Sequence, residues 1–438
     1  MSETDTLIQS LEPRVLMAAT PDGFTPAQMR RAYGFEQVAF LGKGGGRNTA
    51  DGRGQTIAVV TAYRAPNVAN DLKVFNQQFD LPNTDLTGAP IFSQVTMRDS
   101  RGRLPRVDTA WAGEAAMDVE WAHAIAPRAK ILHVEAISDD IEDLLDAVDY
   151  ARRQPGVTVV SMSWGTEEFF GQTDYEPYFV TPKRHIGGAG MRGGVSFVAS
   201  SGDDGIDATW PATSPSVLAV GGTTLDLGPD DYWRSETGWG SSGGGLSKID
   251  NSPSPDVSYN ANPITGYSVY DSSEGEGWYT VAGTSAGAPQ WAALVALVNQ
   301  GRGARGLGSL ESKGTIDALF KVPFSDFHDI TSGNNGHRAK PGYDLVTGLG
   351  TPIAQRLIPD MVLYGTKTFG RVLAAAAAER KPAANTAYPF AASASVSTTP
   401  LAASPLVATA WVGDFVGSRG ARGSVFADEL IETNVGAV

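Results

Sequence analysis

Cysteine is absent from all 438 residues. That removes disulfides, thiolate–zinc sites, iron–sulfur clusters and cysteine nucleophiles together, so any staple in the chain must be of another kind. Long apolar runs are missing as well. None approaches the roughly 18 residues that a membrane-spanning helix needs, and a soluble protein is expected. Histidine is scarce, with 5 in the chain, and cations are outnumbered: 34 Lys and Arg stand against 48 Asp and Glu, a formal charge of −14. A surface that acidic repels phosphate backbones and anionic lipid, which argues against nucleic-acid and membrane partners.

What is present points to a packed, loop-rich enzyme. Hydrophobic residues make up 42% and aromatics 9%, enough for a substantial core. The 51 glycines and 26 prolines exceed ordinary usage and suit an extracellular hydrolase more than a cytosolic enzyme. Thr56–Tyr63, Ala129–Ala136, Val157–Ser163, Val195–Ser201 and Val217–Thr224 are near-continuous apolar runs of strand length. Helical patterns alternate with them: a stretch through Leu72, Phe75 and Phe79, then Ala110–Ala126, then Ser138–Arg153 with its acidic first turn. This is the pattern of an α/β fold with a parallel sheet covered on both faces. Residues 1–23 read as a flexible segment without a secretory signal. After about residue 365 the chain turns to Ala, Ser, Thr and Pro, a low-complexity tail.

Three stretches carry candidate chemistry. In Ala282-Gly283-Thr284-Ser285-Ala286-Gly287-Ala288-Pro289 a serine stands between small residues at a helix start. It suits a nucleophile at the positive end of the helix dipole, although a Ser or Thr before an apolar run is more often a plain N-cap. No histidine has a recognisable general-base setting, so a Ser-His-Asp triad is poorly supported. Glu114 and Asp118, at i and i+4 in an Ala- and Trp-rich helix, would lie on one face. They would share a proton and titrate as a coupled unit; the bland alternative is a solvated acidic face. Asp203, in Ser201-Gly202-Asp203-Asp204-Gly205, follows a strand at the edge where α/β proteins place functional groups, though a simple turn satisfies the motif too. Phosphate-binding and paired aspartic-protease motifs are lacking: Leu41–Gly46 does not meet the requirements of a P-loop.

Together these stretches resemble the sedolisins, the serine-carboxyl peptidases. Further matches stand in the family's order over residues 24–363: Ser161-Met162-Ser163-Trp164-Gly165, Trp210-Pro211-Ala212, Val220-Gly221-Gly222-Thr223, Ser242-Gly243-Gly244-Gly245-Leu246-Ser247, Pro255-Asp256-Val257 and Gly342-Tyr343-Asp344. The resemblance implies a subtilisin-like three-layer α/β fold with a mostly parallel central sheet and helices on both faces, in one peptidase domain over 24–364. It implies peptide hydrolysis in acid, with Ser285 as nucleophile, Glu114 as general base, Asp118 as its partner and a protonated Asp203 in the oxyanion hole. It also implies one structural Ca²⁺, held by the carboxylates of Asp329 and Asp344 with the carbonyls of Ile330, Lys340 and Gly342. From the residues alone that loop reads as an ordinary turn, and Lys340 stands where a small residue is usual.

Two features depart from the family. Its members usually carry a long N-terminal prodomain, whereas the similarity here begins near residue 24. A further Glu that some members have after the first strand is replaced by Val60-Thr61-Ala62-Tyr63, while Trp164, a potential partner of Glu114, is kept. The expectation is a secreted, monomeric peptidase acting on peptide or protein substrates. The alternatives are a catalytically silent peptide-binding module on the same fold and, more remotely, a two-carboxylate glycosidase.

Overall fold

The computed structural model describes residues 20–41, 46–273, 277–379 and 409–410. The flexible N-terminal segment expected over 1–23 therefore falls largely outside the described residues, as does most of the tail expected after 365.

Among the described residues the central sheet has eight strands: β1 (Thr56–Ala62), β2 (Phe92–Thr96), β3 (Lys130–Ala136), β4 (Val157–Met162), β5 (Ser196–Ser200), β6 (Leu218–Leu227), β7 (Trp233–Gly238) and β8 (Val257–Asn260). Their order is β7-β6-β5-β4-β1-β3-β2, with β8 also paired to β6. Only the β6–β7 pairing is antiparallel. The apolar runs are continuous because successive side chains serve opposite cores. Ile57 and Val59 of β1 enter one cluster, while Ala58, Val60 and Ala62 enter the other. A parallel sheet buried on both sides requires this.

Among the described residues eight helices accompany the sheet: α1 (Pro26–Ala32), α2 (Val68–Phe79), α3 (Thr109–Ile125), α4 (Ile141–Arg153), α5 (Thr284–Ala304), α6 (Ser312–Leu319), α7 (Ala354–Val362) and α8 (Phe369–Glu379). The first cluster gathers α2, α3, α5 and α7. On the opposite face α4 lays Ile141, Leu144, Leu145 and Val148 against the sheet. Its Glu142 and Asp143 at the start and Arg152 and Arg153 at the end complement the helix dipole. These three layers are the α/β, subtilisin-like arrangement that the resemblance implied. The chain runs on beyond 364 into α8, whose Phe369 and Val372 are buried in the first cluster.

Two helices differ from ordinary surface helices in having almost no solvent-exposed face. In α3 every residue from Trp111 to Ile125 is buried, and in α5 every residue from Thr284 to Arg302. Small residues make this possible: alanines and glycines let α3 and α5 lie close to each other and to the strands. The Asp108 side chain starts α3 by accepting from the Trp111 amide at 3.2 Å, an N-cap that ends the preceding loop. No helix among the described residues is long and apolar enough to cross a membrane.

Candidate active site

The candidate site begins at the edge of the sheet where β5 ends. Ser201, Gly202 and Asp203 follow directly, and the glycine-rich loop after β7 holds them down. Gly243 donates its amide to the Gly202 carbonyl at 2.6 Å and accepts at its own carbonyl from the Ser201 hydroxyl at 2.8 Å. A β-carbon at Gly243 would lie 2.0 Å from the Ser201 carbonyl oxygen, so only glycine allows this backbone-on-backbone contact. That contact accounts for the Ser-Gly-Gly-Gly motif in physical terms.

Ser285 lies in the first turn of α5. The chain enters that helix through Gly283 at φ 113°, a conformation that favours glycine, and its amide donates to the Ala261 carbonyl at 2.8 Å. Thr284 binds Asp203 twice: its amide and its hydroxyl each stand 2.8 Å from Asp203 Oδ1. The loop after β5 is thereby tied to the start of α5, placing Asp203 beside the candidate nucleophile.

Glu114 and Asp118 sit on α3 and are buried. Burial pushes the Glu114 carboxyl well above the usual range. The nearby Asp118 raises it further, the Ser285 hydroxyl draws it back, and Asp203 raises it again. The other three candidate residues are therefore all within electrostatic reach of Glu114. Burial also raises Asp118, against the hydrogen bond from Ser163. The expected direct sharing of a proton between the two acids is not seen as a hydrogen bond. Asp118 Oδ1 is instead 2.6 Å from the Ser163 hydroxyl.

Ser163 is the residue that the reasoning from sequence missed, although it stands inside the Ser-Met-Ser-Trp-Gly motif. Besides Asp118 it reaches the Ser285 carbonyl oxygen, at 3.2 Å. That carbonyl is open because Pro289, four residues on, has no amide hydrogen to give it. A hydroxyl carries one proton. When Asp118 is protonated it donates to Ser163, and Ser163 in turn donates to Ser285. Trp164 does not join Glu114: its indole N–H donates to the Val60 carbonyl at 3.0 Å and fastens the motif to β1.

The histidines are engaged elsewhere. His133 Nε2 is 2.8 Å from the Thr61 hydroxyl, and His185 Nε2 is 2.7 Å from the Val157 carbonyl. The His328 ring stacks on Trp233 at 3.9 Å. His123 is buried, and the loss of solvent lowers it to about 3, keeping it neutral.

The candidate calcium loop brings its two aspartates together. Asp344 is buried: Oδ1 accepts the Val346 and Thr347 amides, each at 2.8 Å, and Oδ2 accepts the Lys340 amide at 2.9 Å. Asp329 is exposed and accepts the Gly342 amide at 3.2 Å. Partial burial raises the Asp329 carboxyl, the amide lowers it, and Asp344 raises it again. Neither aspartate has an ion pair among the described residues. Among them, no group of three or more His, Cys, Asp or Glu could hold a metal. The donors available are two carboxylates and neighbouring carbonyls, an all-oxygen set of the kind Ca²⁺ accepts.

Residues 109–316 match the subtilase family. Kumamolisin from Bacillus sp. (strain MN-32) is 30% identical over 388 residues, 78% of this chain and 64% of its own length. Sedolisin from Pseudomonas sp. (strain 101) is 30% identical over 201 residues, 36% of this chain and 33% of its own length. The chain thus spans less than two thirds of either relative. Among solved structures, Pseudomonas sedolisin, a serine-carboxyl proteinase complexed with two molecules of pseudo-iodotyrostatin, superposes with a TM-score of 0.64 at 23% identity. That match covers 78% of this chain and 98% of the other.

Proposed function

We propose that the chain is a member of the sedolisin family and works as a serine-carboxyl peptidase in acid. The observation that carries the reading is the convergence on Glu114, whose ionisation is influenced at once by Asp118, Ser285 and Asp203. Ionised Glu114 takes the Ser285 hydroxyl proton as Oγ attacks the substrate carbonyl carbon. Asp203, protonated, donates to the oxyanion that forms; ionised, it would repel that charge. Glu114 then returns the proton to the leaving amine. Water, activated by the same carboxylate, releases the acyl group from Ser285. Asp118 keeps its proton beside Glu114 and, through Ser163, holds the Ser285 backbone.

Peptide or protein chains are the substrates of this reading, and an extracellular, monomeric enzyme is the setting that goes with it. Asp329 and Asp344, with the carbonyls of Ile330, Lys340 and Gly342, are the residues that would hold Ca²⁺. The ion would neutralise two neighbouring carboxylates and fasten the loop in a chain with no disulfide.

The test is cleavage of a denatured protein at about pH 4, in the ordinary carboxyl range, by wild type and Ser285→Ala. Wild type should cleave, and the variant should lose at least about 10⁴-fold in rate. Equal residual cleavage by both would rule out Ser285 as nucleophile. No cleavage by either would leave a silent peptide-binding module as the better reading.

A further inference from the structure

Directly after Ser163 the chain forms a short strand, Trp164–Glu167. Its far half pairs with Thr209–Trp210, with Thr166 opposite Trp210 and Glu167 opposite Thr209. Its near half, beside the active site, pairs with a segment from the other end of the molecule. Thr409 lies opposite Gly165 and Ala410 opposite Trp164, antiparallel, making a three-stranded sheet.

Three features make this near half a seat for an extended peptide. It is rigid: Trp164 is fully buried and its indole is bonded to Val60. It is open to backbone approach, because Gly165 has no side chain. It also adjoins the nucleophile, since Ser163 holds the Ser285 carbonyl. Strand addition at such an edge draws its affinity from main-chain hydrogen bonds and tolerates many sequences.

The direction of the pairing is informative. Because Thr409 faces Gly165 and Ala410 faces Trp164, the segment runs C-terminally towards Ser163 and hence towards Ser285. A substrate occupying this edge in the same direction would place its acyl side along Trp164–Gly165 and its next carbonyl near the Ser285 hydroxyl. The flanking sequence, Leu406-Val407-Ala408 before and Trp411-Val412-Gly413 after, carries no charge that would oppose entry to a cleft lined by carboxyl groups.

We propose that the chain's own Thr409–Ala410 segment, seated on the Trp164–Gly165 edge, occupies it in competition with an extended substrate. The segment is a tethered, substrate-oriented inhibitor. This rests on the peptidase reading for its consequence, although not for the docking itself.

The two parts are tested separately on the full-length chain. Proline at both positions removes the amide hydrogens and disfavours the strand; because the segment lies on a sheet edge, Thr409→Pro/Ala410→Pro should leave the core intact. In a Ser285→Ala background, where no turnover occurs, amide exchange over Trp164–Thr166 should be about tenfold faster in the proline variant, as expected for losing ladder hydrogen bonds. Equal exchange overturns the docking. In the active background, the proline variant should show KM for a dye-quenched denatured protein lowered by about three- to tenfold with kcat unchanged, the signature of lost competition. Unchanged KM alongside changed exchange overturns the inhibitory role. If neither active form cleaves, the peptidase reading fails while the exchange result still decides the docking.

Discussion

Thr284 gives Asp203 two hydrogen bonds at one oxygen, its amide and its hydroxyl each 2.8 Å from Oδ1. With two donors already directed at Oδ1, a proton on Asp203 belongs on Oδ2. The carboxyl can then accept from α5 through one oxygen and donate through the other. This is the polarity that an oxyanion-binding acid needs, and it makes the group's role depend on pH.

Asp203→Asn keeps an acceptor for Thr284 and supplies a donor that does not titrate. Its kcat should fall, by less than the roughly 10²- to 10³-fold expected for Asp203→Ala, where the donor is lost. The decline of activity on the alkaline side should move to higher pH in Asp203→Asn. A pH–rate profile for the three proteins checks both points; an unmoved alkaline limb in Asp203→Asn would mean that another group sets it.

Ser163→Ala removes the partner of both Asp118 and the Ser285 carbonyl. The Ser163 hydrogen bond favours the ionised form of Asp118. Without it the acid pair should hold its protons to still higher pH, and the acid limb of the activity profile should shift upward. We expect kcat to fall about tenfold, in line with the cost of a buried polar group left unpaired. Ser163→Thr, which keeps the hydroxyl, should restore most of the loss. Equal kcat and an unshifted profile in Ser163→Ala would dismiss the relay.

Stability should decline as pH rises. Burial raises Glu120 well above the ordinary carboxyl range, while the Tyr270 amide at 3.1 Å lowers it only partly. Asp71, which accepts from the Ser272 hydroxyl at 2.7 Å, is raised by burial to about 6. A carboxyl whose folded pKa is raised binds more protons folded than unfolded. Its contribution is therefore full below the unfolded pKa, about 4, and lost as pH climbs through the folded value. The melting temperature should fall between acid and neutral pH. Glu120→Gln, an uncharged near-isostere, should flatten that fall without altering peptide cleavage at low pH. Calorimetry across the range reads the slope, and a Glu120→Gln slope equal to that of wild type would contradict the assignment.

Calcium should raise the melting temperature of wild type by on the order of 5 °C at saturating concentration. Asp329→Asn should remove most of that response. The substitution leaves an oxygen for the Gly342 amide, so the loop's own hydrogen bond survives and the difference reports on the ion. Equal shifts in both proteins would exclude Asp329 as a ligand.

Much of the architecture could be read from the sequence because its periodicities are local. β1, β3, β4, β5 and β6 showed as apolar runs, whereas β2, β7 and β8, shorter or more polar, did not, and α4 showed by its charged ends. α3 was legible as a helix, with its alanines and tryptophans hinting at burial. The motif order pointed to Glu114, Asp118, Asp203 and Ser285. Partnerships were much less legible. Asp118 and Ser163 lie 45 residues apart, and nothing in either neighbourhood announces the other. Trp164 shares the motif but turns to Val60, because the register of β1 against β4 puts that carbonyl within its reach. The open carbonyl of Ser285 follows from Pro289 by counting four residues, yet its acceptance of Ser163 depends on how α5 lies against the sheet. The pairing of Thr409 with Gly165 joins residues so distant in sequence that no local pattern encodes it.

The enclosure of α3 from Trp111 to Ile125 also separates the molecule's two electrostatic regimes. Mobile ions weaken interactions between charges in water over about 8 Å at physiological ionic strength, and they reach poorly into a packed interior. The net charge of −14 belongs to the exterior and governs which chains approach and how fast. Glu114 and Asp118, shielded on every side, are insulated from that exterior. Brine and dilute buffer should therefore alter the encounter with substrate far more than the chemistry that follows it.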